Sequence, residues 1–160
     1  MQLTPIGTIR SPFPSEEGMP IQPSGAWNAV GEVVVDAAYA EGLADVEGFS
    51  HIILLYWFHR VEGYSLTVRP FLEERSRGLF ATRAPRRPNP IGLSVVQLIE
   101  RRDTVLRIRG VDVVDGTPLL DIKPYVPAFD APEKARAGWL EGKAERSKTW
   151  TADDRFVEKT

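Results

Sequence analysis

The chain has 160 residues, of which 42% are hydrophobic, and this size and composition are typical of one domain with a single buried core. It contains no cysteine, which excludes disulfides, thiolate metal sites and a cysteine nucleophile. The formal net charge of −2 argues against nucleic-acid binding unless positive charge is concentrated in one segment. No stretch approaches the ~20 apolar residues of a membrane span, and no signal segment is seen. We therefore expect a cytoplasmic protein without a membrane partner.

The apolar residues of the chain are spaced mostly as in strands. Runs rich in Val, Ile, Leu and aromatic residues predict strands at 32–36, 51–59, 65–68, 92–99 and 105–111. Turn residues at Arg102-Asp103 and Asp115-Gly116 favour hairpins over crossover helices. Helical spacing is confined to 37–46, 72–77 and part of 132–146. We predict an all-β fold, a single-domain β-barrel over residues 1–135 with small peripheral helices.

Residues 136–160 are predicted to form a C-terminal extension. The segment is charged and poor in apolar residues, but it contains Trp139, Trp150 and Phe156. These aromatic side chains give the extension a means of packing on the barrel or on a second subunit.

The predicted strand at 51–59 is apolar on both faces. One face carries Ile53, Leu55 and Trp57, and the other carries Ile52, Leu54, Tyr56 and Phe58. Such a strand is expected to be central and covered twice, once by the barrel core and once by either a helix of this chain or a second subunit. The two histidines, His51 and His59, would lie about 26 Å apart along it, so we expect no metal site.

Residues 78–94, GLFATRAPRRPNPIGLS, form the most unusual segment. Three prolines fix φ and remove amide donors, which holds the N–H groups of Asn89, Ile91 and Gly92 in place. Three arginines in the segment offer planar guanidinium groups to a carboxylate or a phosphate. Between 69 and 87 there are six arginines against two glutamates, a positive patch that the net charge conceals. We interpret the segment as a ligand-binding loop; a rigid, solvated connection is the alternative.

Five segments in order carry a resemblance to a known family. They are PIGTIRSPF at 5–13, MPIQPS at 19–24, GFSHIILLYWFH at 48–59, FATRAPRRPNPIGLS at 80–94 and DVVDGTPLLDIKPYVP at 112–127. Together they resemble the TsaA-like family of S-adenosylmethionine-dependent tRNA methyltransferases, the TrmO proteins, over residues 3–130. The family loop tends to read Ser-Pro-His where this chain has Ala84, Pro85 and Arg86.

The resemblance implies S-adenosylmethionine as the cofactor and N6 of threonylcarbamoyladenosine, next to the tRNA anticodon, as the methyl acceptor. It also implies a homodimer with the cofactor near the subunit junction. The chain has neither a Gly-rich dinucleotide fingerprint nor a phosphate-cradling P-loop, which fits a cofactor without phosphates. Two alternatives are methylation of a small molecule with the same cofactor and a non-catalytic S-adenosylmethionine-binding module.

The resemblance also directs the choice of site residues. The candidate cofactor-binding residues are Gln22, Pro23, Arg83, Asn89, Pro90, Ile91, Gly92, Leu93, Asp121 and Lys123. The candidate substrate-binding residues are Arg83, Arg86, Arg87 and Tyr125. The candidate general bases are, in order, Asp121, His59 and Tyr125. Bases of an RNA loop could stack on Tyr56, Trp57 or Tyr125, although core packing is the favoured role of the first two.

Asp121 is singled out because it lies in the apolar run 119–122, where an uncompensated charge is costly. On the premise that neighbouring strand side chains point to opposite faces, Lys123 is not expected to pair with it. A partner from elsewhere is therefore predicted, for example an arginine of the 83–87 loop. A structural ion pair and a cofactor ligand are both open for Asp121, and the resemblance favours the ligand.

Overall fold

The computed structural model describes residues 2–16, 19, 26–70 and 74–142. The strands of this part of the chain are β1 (Gly7–Arg10), β2 (Val30–Val35), β3 (His51–Trp57), β4 (Thr67–Val68), β5 (Arg77–Gly78), β6 (Ile91–Arg102), β7 (Val105–Arg109) and β8 (Thr117–Pro124). A single α-helical turn, α1, spans Pro127–Asp130, and short 3₁₀ turns occur at Ala37–Leu43, Val46–Gly48, Leu79–Ala81 and Gly138–Leu140. No helix in these ranges is long and apolar enough to cross a membrane.

Six strands close an antiparallel barrel in the order β1, β2, β7, β6, β3, β8, and β8 returns to pair with β1. The remaining two strands, β4 and β5, form a separate two-stranded sheet. The predicted all-β barrel with small helices is confirmed.

Of three local predictions, one is confirmed and two differ from the structure. The turn at Asp103 does join a hairpin, between β6 and β7, and Asp103 adopts the left-handed conformation with φ 52°. Asp115-Gly116 also forms a turn, but it leads from β7 to β8, which are not neighbours in the barrel. The helix expected at 72–77 is absent from its described part, where Arg77 instead begins β5.

The barrel core follows from the two-residue alternation of the strands. On β3, Ile52, Leu54 and Tyr56 point inward and are buried. They pack with inward side chains of the other strands, including Ile9, Val33, Val96, Leu106, Ile108 and Leu119. Burying each such side chain stabilises the fold by about 1.5–3 kcal/mol.

The strand directions bring five connecting segments to one end of the barrel, which we call the loop end. Strands β1, β3 and β7 finish there, and β2, β6 and β8 begin there. Its segments are 11–16, 26–29, 58–60, 79–90 and 110–116. Several are tied together: the Ser11 hydroxyl donates to the Val113 carbonyl at 2.6 Å, and the Arg60 guanidinium donates to the Pro14 carbonyl at 2.9 Å. The loop end is thus a connected layer above the core.

Candidate functional site

The register of three strands gathers several predicted site residues on the outside of the barrel. Leu55 of β3 lies opposite Leu93 of β6 on one side and opposite Asp121 of β8 on the other. The backbones of Leu93 and Asp121 are therefore two strand spacings, or about 10 Å, apart. A bulge in β8 near Leu120 shifts the register there, which turns Asp121 outward while Leu119 stays in the core.

The surface around this row is apolar and accessible. The side chains of Trp57, Ile91 and Leu93 are 46%, 41% and 44% exposed, and Trp57 lies directly opposite Ile91. Because these three residues stay accessible, the described part of the chain leaves the second cover expected for β3 incomplete at this end of the strand. We call this surface the outer face; it comprises Ile53, Leu55, Trp57, Ile91, Leu93, Val95, Asp121 and Lys123.

The partner predicted for Asp121 was wrong. Its Oδ2 lies 2.7 Å from Lys123 Nζ, and its Oδ1 accepts the Ile122 N–H at 2.9 Å. Residues 121 and 123 are two apart on a strand and therefore share a face, so the premise of opposite faces did not apply to them. Asp121 is also half-exposed, because the bulge turns it to the outside of the barrel while Leu119 stays in the core. The outer face thus ends in an adjacent carboxylate and ammonium group.

The proline-rich turn forms the upper edge of the outer face. Asn89 and Pro90 lead directly into Ile91, and the Pro90 carbonyl accepts the Phe58 N–H at 2.8 Å. His59 follows Phe58, so it lies at this same edge. The Ile91 N–H, one of the amide groups expected to be held in place in a ligand-binding loop, donates to the Asn89 carbonyl at 2.8 Å. Two polar groups of the turn, the Asn89 carbonyl and the Ile91 N–H, are thus bonded to each other within the turn.

Gly92 has a packing role that the sequence did not reveal. A Cβ at this position would overlap the ring of Tyr56, its cross-strand partner. Tyr56 itself is buried inside the barrel and packs edge-on against Phe58, so it is unavailable for stacking on a base. The glycine therefore lets the aromatic ring lie against β6 immediately below the proline-rich turn.

The three arginines of the loop differ in their environments. Arg87 is partly buried, and its guanidinium donates to the Thr82 carbonyl at 2.9 Å and more weakly to those of Leu79 and Ala84. One guanidinium nitrogen of Arg87 is therefore engaged by the loop itself, and the substrate contact of Arg87 stays a prediction. Arg86 is also partly buried, whereas Arg83 is exposed.

A polar chain inside the barrel was missed by the sequence analysis. The Ser94 hydroxyl donates to Asp112 Oδ1 at 2.6 Å and lies 3.0 Å from the Tyr56 hydroxyl. These residues come from β3, β6 and the β7–β8 connection, so the chain ties three elements together beneath the loop end. Asp112 is flanked by Val111 and Val113, so the criterion that selected Asp121 would also have selected Asp112.

Burial changes the pKa values of Asp112 and Tyr56, the two acidic groups that are linked through Ser94. Removal from water raises the pKa of Asp112 to about 7, although the Ser94 hydrogen bond and the charge of Arg83 act in the opposite direction. Burial also raises the pKa of the Tyr56 hydroxyl, and the nearby carboxylate of Asp112 adds to that rise. Since Arg83 acts on both groups, it lies within electrostatic reach of the chain from the loop side.

The remaining predicted residues are not brought to this site by the described part of the chain. The Tyr125 N–H donates to the His51 carbonyl at 3.2 Å, at the end of β3 opposite the loop end. The length of β3 separates Tyr125 from Trp57 by roughly 20 Å. Gln22 and Pro23 lie outside the described residues, as do Trp150 and Phe156. Within the described ranges, no three His, Cys, Asp or Glu side chains gather as a metal site would require.

Comparison with models of known protein families identifies the family of this barrel. Residues 8–131 match the model of the tRNA-methyltransferase O N-terminal domain. The chain belongs to this family. The family match covers the whole barrel apart from the first residue of β1, and it includes the loop end and the outer face. The resemblance found in the sequence is confirmed.

Individual relatives agree with the family assignment. The chain is 55% identical to a probable S-adenosyl-L-methionine-binding protein of Pyrococcus abyssi, over 95% of this chain and 83% of the relative. It is 39% identical to the tRNA (adenine(37)-N6)-methyltransferase of Escherichia coli, over 95% of this chain and 70% of that enzyme. The crystal structure of TrmO from Pseudomonas aeruginosa superposes with a TM-score of 0.73 at 40% identity, covering 87% of this chain. This chain spans 62% of that TrmO chain.

Proposed function

We propose that the protein binds S-adenosylmethionine on the outer face and methylates N6 of threonylcarbamoyladenosine at position 37 of tRNA. The observation that carries the proposal is the alignment of Leu93, Leu55 and Asp121 in one row below the proline-rich turn. Membership of the tRNA-methyltransferase O family and the names of the relatives support the cofactor and the acceptor.

The residues of the outer face fit the chemistry of this cofactor. An adenine ring requires an apolar wall, which Trp57, Ile91 and Leu93 provide in exposed positions. The amino-acid end of the cofactor carries an ammonium and a carboxylate, which match Asp121 and Lys123 respectively. Without the ligand, Asp121 and Lys123 neutralise each other. With the ligand bound, Asp121 faces the ammonium and Lys123 faces the carboxylate, so neither side chain has an unpaired charge in either state. The sulfonium then lies against apolar side chains rather than beside an arginine.

Few catalytic side chains are needed for the reaction. Bound S-adenosylmethionine supplies an electrophilic methyl group on sulfur. The protein holds N6 of the acceptor in line with that methyl group and excludes water, and rigid elements such as the proline-rich turn serve both purposes. The N6 proton must leave, so a base within hydrogen-bond reach assists.

We assign the role of base to His59 rather than Asp121. In this proposal the Asp121 carboxylate binds the ammonium of the cofactor, and its two oxygens also accept from Lys123 and from the Ile122 N–H, so it is not the group that takes the N6 proton. His59 lies at the upper edge of the outer face, where the Phe58 N–H bonds the Pro90 carbonyl. Tyr125 lies at the opposite end of the barrel and is not used in this proposal.

Arg83 and Arg86 are proposed to bind the RNA, because both belong to the arginine-rich segment that borders the outer face. Arg83 can also bind the carboxylate that threonylcarbamoyl carries. An RNA acceptor fits the cytoplasmic location expected from the sequence.

A homodimer is part of the proposal. The exposed apolar side chains of Trp57, Ile91 and Leu93 form a continuous surface on rigid strands, and such surfaces mark interaction sites. A second subunit covering part of the outer face would close the cofactor site from above. Sedimentation equilibrium with and without the cofactor tests this step, and a monomer under both conditions would contradict it.

Calorimetric titration with S-adenosylmethionine tests the cofactor site. The variant Asp121→Asn is expected to bind at least about 10-fold more weakly, because a hydrogen bond to a charged group is worth about 1.5–3 kcal/mol. Glu100→Gln is the matched control, since Glu100 pairs with Arg102 and Arg107 on β6 and β7, away from the outer face. Equal affinity in wild type and Asp121→Asn would contradict this site. Binding without methyl transfer to tRNA would favour a cofactor-binding module over a methyltransferase.

A further inference from the structure

Phe80 is an exposed aromatic side chain that neither the core nor the outer face uses. It lies in the 3₁₀ turn Leu79–Ala81, and 74% of its surface is accessible. The residue before it, Leu79, is buried and anchors the turn to the body of the protein. The ring is therefore held out from a fixed position rather than from a free loop tip.

The turn that carries Phe80 is fixed by hydrogen bonds on both sides. The Thr82 hydroxyl donates to the Leu79 carbonyl at 2.7 Å, and the Trp139 indole donates to the Ala81 carbonyl at 2.7 Å. The Arg87 guanidinium, which bonds the Thr82 carbonyl, also lies over the Phe80 ring, with Cζ 5.7 Å from the ring centroid. This cation–π contact supports one face of the ring. Little further ordering would be needed when a flat ligand stacks on it.

The charge around Phe80 selects an anionic partner. Residues 74–90 contain five arginines and one acid, a surplus of four positive charges. A flat apolar ring that contacts Arg87 and lies in an arginine-rich segment matches a single-stranded nucleic acid, whose bases stack on aromatic side chains while arginines bind its phosphates. We infer that Phe80 is a stacking platform for an unpaired base of the RNA loop that carries the target adenosine.

The position of Phe80 is consistent with this role. Arg87, which contacts its ring, is four residues before Ile91 on the outer face, so at most about 14 Å of chain separates them. The segment that carries Phe80 therefore leads directly into the outer face, and the base that we assign to Phe80 is a loop neighbour of the methylated adenosine. Because the partner is an RNA loop, the role of Phe80 rests on the proposed function.

The test compares three variants in binding to an anticodon stem–loop RNA by fluorescence anisotropy. Phe80→Leu is expected to weaken binding by about 5-fold to 150-fold, the range for loss of one stacked base, and Phe80→Tyr is expected to retain it. Phe129→Leu is the matched control, because Phe129 is 79% exposed but lies in α1 at the opposite end of the barrel. The affinity for S-adenosylmethionine should be the same in all three variants.

A second readout identifies the contact directly. Stem–loops with 2-aminopurine at single loop positions are titrated with wild type and Phe80→Leu. Stacking on Phe80 predicts quenching at one position by wild type that the leucine variant does not reproduce. Equal RNA affinity and equal quenching in the two proteins would overturn the inference, as would a failure of wild type to bind the stem–loop.

The design separates this inference from the proposed function. If wild type transfers no methyl group but binds the RNA more tightly than Phe80→Leu, the function fails and the platform stands. If transfer occurs and Phe80→Leu leaves both the RNA affinity and the tRNA KM unchanged, the function stands and the platform fails. A Phe80→Leu variant that changes only the oligomeric state would assign the ring to a subunit contact and would also overturn the inference.

Discussion

Replacing Asp112 by Asn should make the stability of the protein less dependent on pH. Burial raises the pKa of Asp112 to about 7 in the folded protein, whereas an aspartate in an unfolded chain titrates near 3.9. Between these values the folded chain binds a proton that the unfolded chain has lost, so the free energy of unfolding falls as the pH rises. About three pKa units at 1.36 kcal/mol each give a loss of at most about 4 kcal/mol. Asparagine does not titrate, so the variant escapes this loss.

Urea denaturation at a series of pH values measures the effect. The stability of wild type minus that of Asp112→Asn should fall by about 3 kcal/mol from about pH 5 to about pH 8, and then stay level. Asp36→Asn is the control, because Asp36 is exposed and its side chain makes no capping hydrogen bond. Parallel curves for wild type and Asp112→Asn would refute the reasoning, since they would mean that the carboxyl group is ionised in the folded state at little cost.

Three further substitutions have defined outcomes. Gly92→Ala should destabilise the fold by about 1–3 kcal/mol in urea because its Cβ would overlap the Tyr56 ring, whereas Gly42→Ala, which meets no neighbouring atom, should not. Arg87→Ala should cost about 1–3 kcal/mol through lost hydrogen bonds to the loop carbonyls, and an effect on RNA affinity alone would contradict that structural role. His59→Gln should lower kcat by about 10²-fold to 10⁴-fold at unchanged S-adenosylmethionine affinity, and a kcat equal to that of wild type would exclude His59 as the base.

The strands and turns of the barrel could be predicted because the alternation of apolar residues and the turn residues that mark them lie within short segments of the sequence. The alternation along β3 correctly divided its side chains into an inner and an outer set. The prolines and arginines of 78–94 drew attention to a loop that leads directly into the outer face. The outer face could be anticipated in part, since Ile91, Leu93 and Asp121 were already candidates. Their assembly into one row needed the strand register.

Most errors concern contacts between residues that are brought together, or kept apart, only by the tertiary structure. Asp112 meets Ser94 only because the β7–β8 connection crosses the end of the barrel, and no pattern in the sequence predicts that approach. Tyr125 follows Asp121 by four residues, but β8 runs away from the loop end, which carries Tyr125 to the opposite end of β3. The pairing of Asp121 with Lys123, by contrast, was available from strand periodicity and was missed by misapplying it.

The central claim is methyl transfer to tRNA, and it is tested most directly by nucleoside mass spectrometry. Purified protein is incubated with S-adenosylmethionine carrying an isotope-labelled methyl group and with tRNA that contains unmethylated threonylcarbamoyladenosine. We predict that the label appears on threonylcarbamoyladenosine alone, and that the Asp121→Asn variant transfers less of it at limiting cofactor. Cofactor binding by calorimetry without label on any nucleoside would contradict the assignment as a tRNA methyltransferase.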